Sequence, residues 1–588
     1  MTTILSSTTL ANNQEKISFE ISFKEPQAHY AEIKMIISGN KDHTIDVKMP
    51  VWAPGSYLIR EFPKNVEGFH AKGNGDELKS FKTNKNTWRI QADKAENIEI
   101  NYRVYAFEIS VRTSFIDASH AFLSSTGIFM HIDKKIDYPA EVTIIPHPTW
   151  EKISTGLEKV HGKKNTFYAP NFDILFDSPI EVGNQDIFHF TASGVDHEVA
   201  MVGGGNYDKE TLTRDITKII ENQTLVFGEN PNKRYVFIVH NYESGGGGLE
   251  HLNSTVLGAS RNNYTNKIGY TNFLGLVSHE YFHIWNIKRL RPENLGPFNY
   301  DAENYTTNLW ISEGFTAYYD NITLRRAGLI DESEYLRMLA NDINSVENRP
   351  GDTIQTLKEA SFDAWIKQYR PNENSFNTTV TYYNKGALIG LLLDLKILHA
   401  TNGQKGLDAV MKAMYDLYYT QEDRGFTEEE FFSMAEKIAG VSLKDIFRYV
   451  DSASTIGYNS YLNYAGLELI DVAENLEITD LGVRASNQNG RLIVTSVISG
   501  SGAWKDGINV RDELISINNI RVSSNEDIDN LLISSKPGDK YQVLVSRDGI
   551  LKTLNVTLGL NKAKRYLIMP LVEVSKDQLE IKNAWLNL

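Results

Sequence analysis

His279-Glu280-Tyr281-Phe282-His283 places two imidazoles four residues apart with a carboxylate between them. On a helix, residues at this spacing share one face about 6 Å apart along the axis, so both rings can reach one metal ion. Zinc held in this way lowers the pKa of water toward about 7, and Glu280 is placed to take the proton. A catalytic zinc needs a third protein ligand and an open fourth position. Glu313 is the candidate for that ligand. It lies in Leu309–Tyr319 (LWISEGFTAYY), which reads as a buried amphipathic helix. Taken singly, each histidine reads as an ordinary surface or core residue and Glu313 as a solvated helix carboxylate. It is their combination that points to a metal centre.

These side chains need elements beneath them. Thr271–Ser278 offers an N-cap followed by apolar residues, and Arg291-Pro292 is expected to close the helix. Upstream, the apolar run Tyr235–Val239 precedes Gly245-Gly246-Gly247-Gly248-Leu249-Glu250-His251, which reads as a strand and then a glycine-rich turn. No Lys-Ser/Thr pair follows the glycines, so a phosphate-binding loop is a poor reading. A flexible surface loop with a solvated Glu250 is the plain alternative. Downstream, Tyr382-Tyr383-Asn384-Lys385-Gly386 opens a long apolar helix reaching Leu398. The chain has 29 tyrosines, so residue type alone singles out neither of these two.

At these residues the sequence resembles the glycyl aminopeptidases that carry a C-terminal PDZ domain, within the thermolysin-like zinc peptidase clan. The resemblance covers nearly the whole chain. Its most specific parts are His279–Pro292 (HEYFHIWNIKRLRP), Leu309–Tyr319, Gly245–His251 and Trp52–Arg60 (WAPGSYLIR). The resemblance implies one zinc ion per chain on His279, His283 and Glu313, with Glu280 as the base. It implies that Glu250 binds the free α-amino group of a peptide substrate, and an ammonium entering a partly dry cleft does need an anionic partner. Gly247 and Gly248 would let the substrate backbone approach closely. Relatives carry a tyrosine two residues before Lys-Gly, and that match selects Tyr383 over Tyr382 as the donor to the oxyanion. N-terminal glycine or alanine is the implied preference. In larger relatives the third ligand follows the second histidine after about 18 residues. Here 313 minus 283 is 30, so 29 residues intervene, and an inserted loop at Lys288–Asn308 is implied.

The chain has 588 residues, enough for several domains. It contains no cysteine, which excludes disulfides, thiolate metal ligands and a catalytic thiol. A net charge of −15 makes nucleic acid a poor partner. No 18-residue apolar run suggests a membrane span, and the polar N-terminus shows no signal pattern, so a soluble protein, cytoplasmic or periplasmic, is expected. Period-two alternation, as in Ile17–Phe23 and Ile98–Val104, predicts an antiparallel β domain, sandwich-like, over 1–176. Trp52–Ser56 interrupts it as a turn to which no role is assigned. Helical periodicity predicts a mostly helical catalytic domain over 177–460, with a small sheet ending near Glu250, and the resemblance implies that it is thermolysin-like. Its polar segment Gln368–Thr379 is expected to be mobile. Short strands return over 461–588, where Ser499–Asn519 resembles the PDZ pattern and Leu481-Gly482-Val483 is the candidate carboxylate-binding loop. Val510-Arg511 and Asn519 depart from the usual glycines. The groove would add a peptide C-terminus as a strand, or the domain would pack on the rest of its own chain. The fold class expected is therefore multidomain α+β. The function expected is zinc-dependent aminopeptidase, against a zinc endopeptidase or an inactive peptide-binding scaffold.

Overall fold

Alternation along Lys16–Ser22 buries Ile17, Phe19 and Ile21 on one side and turns Ser18 and Glu20 toward the other, as a period of two dictates. That strand lies inside an eight-stranded sheet. It pairs antiparallel with Tyr30–Ser38 but parallel with Ala140–Ile145, in the register Ile17 to Ala140. The N-terminal β domain is thus antiparallel with one parallel neighbour, which alternation along a single strand does not reveal. Two four-stranded sheets complete it, and its largely aliphatic core includes aromatic pairs: Phe19 meets Phe129 edge-on at 5.0 Å.

The computed structural model describes residues 15–586. They form two compact units. One comprises the chain up to Thr217 with Asn230–Ile284 and Phe298–Glu303, and the other comprises Lys218–Glu229, Trp285–Pro297 and the chain from Asn304 onward.

The first unit also holds a five-stranded mixed sheet in the order Asp186–Ala192, Val195–Val202, Arg234–Tyr242, Ser254–Ser260, Gly248–Glu250. The central three run parallel and the outer two antiparallel to their neighbours. The two faces of Arg234–Tyr242 do different work. Tyr235 and Phe237 contact Tyr281 on the helix Lys267–Phe282. Val236 and Ile238 join Val111, Phe122, Leu249 and Val256 in a separate apolar cluster. The helix starts earlier than its sequence suggests, because the Asn266 side chain caps it by accepting from Gly269 N–H. It also ends earlier, at Phe282 with His283 as C-cap, and not at Arg291-Pro292. Beyond it Ile287 adopts φ +97°, which no helix accommodates, and Ile287 N–H and Leu290 N–H close a turn onto Leu290 and Trp285 carbonyls.

In the second unit, Tyr382–Ala400 is buried along most of its length and is the axis of the helical part. Gly314 and Gly386 allow the helix Gly314–Arg326 to cross it closely: a Cβ on Gly314 would stand 2.5 Å from Gly386 Cα. The C-terminal sheet, Val483–Gln488, Arg491–Val497, Glu513–Ile517, Lys540–Arg547 and Ile550–Thr557, has its own core from Leu481 to Leu558. Arg511 and Asn519 take φ +72° and +66°, the left-handed conformations in which the PDZ pattern has glycine. The sheet is tied down at both ends. Leu467–Asp471 pairs with Tyr566–Pro570, Asn344 on the helix Glu332–Glu347 bonds both backbone groups of Tyr566, and its C-cap Asn348 bonds both of Lys564. The final helix, Lys576–Leu586, returns to the helical part, where Trp585 Nε1–H donates to the Tyr318 hydroxyl at 2.8 Å. Gln368–Thr379 is held as well: it contains the short helix Ser375–Thr378, and Asn377 Nδ2 donates to Val497 O while its Oδ1 accepts from Ser499 N–H.

Candidate active site

In the first unit, the last turn of the helix Lys267–Phe282 and its cap present His279 and His283 together. Their rings lie 4.8 Å apart at 83°, with ring nitrogens within 4.8 Å of each other. His283 is 1% exposed and His279 is partly exposed. Two imidazoles converging from one helical face are a suitable donor pair for zinc. Glu280 is buried, and its carboxylate lies against the backbone of Gly248, where a Cβ would meet Oε1 at 2.2 Å. Any residue larger than glycine at 248 would displace it.

Glu250 stands two residues along the same edge strand, so it shares the face of Gly248 while Leu249 points into the opposite cluster. One oxygen each of Glu250 and Glu280 and one ring nitrogen of His283 lie within 4.8 Å of one another. Both carboxylates are only 4% exposed. Two buried anions at this separation raise each other's energy unless positive charge is supplied, and a divalent metal and a substrate ammonium are both suited to supply it. Gly247 is less involved: it adopts φ +83°, its carbonyl accepts from Gly258 N–H, and Arg112 is its nearest neighbour. Arg112 donates to Gly248 O at 3.0 Å. His251, closing the glycine-rich motif, bonds Asp177 Oδ1 at 3.0 Å.

In the second unit, Glu313 occupies the break between the helices Leu309–Ser312 and Gly314–Arg326 and is 2% exposed. Asn286 holds this break: its Nδ2 lies 2.9 Å from Ser312 O and 3.0 Å from Ile311 O and Thr316 Oγ1. The glycine crossing of Gly314 with Gly386 brings Tyr383, one turn before Gly386, beside Glu313. Burial, then the negative charge of Glu313, push the Tyr383 hydroxyl well above its ordinary pKa, and the Tyr369 hydroxyl bonded to it adds to this. The group therefore stays protonated at neutral pH and can donate. Tyr382 is fully buried and Tyr383 partly exposed. Their rings stack at 4.8 Å and do not diverge as ideal helical register suggests.

The first unit thus gathers His279, Glu280, His283, Glu250 and Gly248, and the second gathers Glu313 and Tyr383. Sequence reasoning did not single out Gly55, Asn286, Tyr369 or Arg112. Gly55 and Asn286 lie inside the quoted segments WAPGSYLIR and HEYFHIWNIKRLRP, so those segments carried their signal. Tyr369 and Arg112 lie in no motif.

Family profiles match for the Peptidase M61 N-terminal domain over residues 18–184, the M61 glycyl aminopeptidase over 272–389 and the PDZ domain over 479–558. The crystal structure of an aminopeptidase N family protein from Idiomarina loihiensis is 30% identical. The alignment covers 97% of this chain and 100% of that one, with a TM-score of 0.91. An M1 zinc metallopeptidase from Deinococcus radiodurans is 13% identical over 75% of this chain and 95% of its own, with a TM-score of 0.48. Among curated proteins, the carboxy-terminal processing protease CtpA of Bacillus subtilis is 24% identical over 157 residues, 26% of this chain, and the match spans 30% of that protein's length. With a relative matched end to end at this identity and the three profiles in order along the sequence, the chain belongs to the M61 glycyl aminopeptidase family of peptidases, with a C-terminal PDZ domain.

Proposed function

We propose that this peptidase is a zinc-dependent aminopeptidase that removes N-terminal residues, glycine or alanine foremost, from peptides. The observation that carries the reading is Glu250: a buried carboxylate on an edge strand, with an oxygen within 4.8 Å of donor atoms of both Glu280 and His283. An anion fixed that close to the base suits a substrate whose own ammonium stands next to the bond to be cut.

His279, His283 and Glu313 would hold the zinc, Glu313 by its place in the LWISEG motif and its burial. When bound, zinc supplies a Lewis acid and acidifies water. Glu280 takes the proton from the attacking water and passes it to the leaving amine. Tyr383, kept protonated, donates to the oxyanion. Glu250 binds the ammonium, and Gly248, with no side chain, leaves room for the Glu280 carboxylate beside the strand edge. The glycine or alanine preference rests on family membership.

The test compares a free and an N-acetylated alanyl anilide, with the zinc content of the same preparation. Cleavage of the free substrate alone, with zinc present and activity lost to a chelator, supports the reading. Equal kcat/KM on both substrates would replace it with an endopeptidase. Glu280→Gln should keep zinc and lower kcat by several orders of magnitude.

A further inference from the structure

A second group of metal-type donors lies in the first unit, on the opposite face of the sheet from the HExxH helix. Alternation along Arg234–Tyr242 puts His240 on the face of Val236 and Ile238 and away from Tyr281. Its ring stands edge-on to Phe122 at 4.7 Å. Glu181, on the strand Ile180–Gly183, pairs with Phe122 across the sheet, and His120 immediately precedes the strand Ala121–Leu123. Glu181 Oε1 lies 2.7 Å from His120 Nδ1 and Oε2 lies 2.9 Å from His240 Nε2. All three donor atoms lie within 4.8 Å of one another. Glu181 is fully buried and His240 nearly so, while His120 is partly exposed.

The cluster opens on a cavity of about 680 Å³ lined by His120, His240, Trp150, Gln185 and Tyr242. Two buried atoms of this wall, His240 Nδ1 and Gln185 Oε1, have no hydrogen-bond partner. Buried polar atoms without partners are few in folded proteins and costly. With Nε2–H directed at Glu181, Nδ1 is a bare lone pair. The wall therefore holds two unmatched lone pairs, on His240 and Gln185, beside a carboxylate whose oxygens face the two imidazoles, an electron-rich setting suited to a cation. Two imidazoles and one carboxylate are borderline ligands of the kind that select first-row transition ions over calcium or magnesium.

We propose that His120, Glu181 and His240 form a second metal site that takes a divalent transition ion of the zinc type, with its remaining coordination positions facing the cavity. Binding requires the two protons now directed at Glu181 to move. Each imidazole shifts its proton to the other ring nitrogen, or releases it to solvent if it was doubly protonated, and the freed lone pair binds the ion. Affinity should therefore fall as pH is lowered.

The test is independent of the catalytic site. A His279→Ala/His283→Ala chain is equilibrated with Zn²⁺ and with Co²⁺ at neutral pH, and bound metal is measured after gel filtration. One ion per chain should remain, with a Co²⁺ spectrum showing nitrogen and oxygen ligation. Adding His120→Ala, at the cavity edge, or Glu181→Gln should weaken that ion at least about 100-fold, with the melting temperature recorded to exclude unfolding. No residual ion in the first variant, or unchanged binding in the folded second variants, would overturn the proposal and leave a hydrogen-bonded structural triad.

Discussion

A Cβ on Gly55 would stand 2.4 Å from Oε1 of Glu250, so the backbone of the Trp52–Ser56 turn is the wall against which that carboxylate lies. The turn is itself rigid: Trp52 is fully buried, donates to Asn299 O at 2.8 Å and packs on Phe298 and Tyr300. Gly55→Ala should displace Glu250, raise KM about tenfold or more and lower kcat/KM further, since small misplacements of a positioning group cost rate. Gly194→Ala is the control. Gly194 has φ +76° and open space around it, so it carries the same backbone strain without the carboxylate. Equal kinetic losses in the two variants would show that Gly55 acts through strain alone.

The tyrosine pair separates by kinetics. Tyr383→Phe should lower kcat and kcat/KM together by about 10²–10³, because the lost hydrogen bond belongs to the transition state. Tyr382→Phe, in a fully buried position, should change rate less than about tenfold and act through packing. Tyr369→Phe removes the hydroxyl bonded to Tyr383 and should fall between the two. A severe defect confined to Tyr382→Phe would reverse the assignment.

Asn377 links the segment that carries Tyr369 to the PDZ sheet through Val497 and Ser499, and Arg484 of that sheet lies 3.5 Å over the ring of Phe376. Asn377→Ala should loosen 368–379 and lower kcat several-fold, roughly three to ten, with KM little changed. Hydrogen exchange over 368–379 should rise in parallel. Unchanged exchange and turnover would mean that the contact only packs the two parts together.

Burial drives His197 down to about 4, and its Nε2 meets the Tyr281 hydroxyl at 2.9 Å. The unfolded value is about 6.5. Because the folded-state pKa is depressed, the unfolded chain takes the proton first. Stability is intact above about 6.5 and is lost as pH falls from there toward 4, by about 3 kcal/mol at most. His197→Gln keeps a polar partner for Tyr281 and removes the titration. Urea midpoints measured at pH 7 and pH 4.5 should converge in the variant relative to wild type. An identical acid loss in both chains would assign the effect to other groups.

The local elements of this protein follow from its sequence because their causes are local. The period of 3.6 around His279 puts Glu280 and the two histidines on neighbouring faces of one helix, and the period of two makes the strands. The ends of the HExxH helix did not follow, because Asn266 capping and the positive φ of Ile287 replace the expected punctuation at Thr271 and Pro292. The stretch Leu309–Tyr319 singled out Glu313, and the family resemblance singled out Tyr383. What puts them side by side is a helix crossing through Gly314 and Gly386, whose small size matters only once the helices meet. The same holds for Gly55 against Glu250, and for His120 and His240, which lie 61 and 59 residues from Glu181. Contacts at such separations are decided by sheet registry and packing, which no periodicity along the chain encodes.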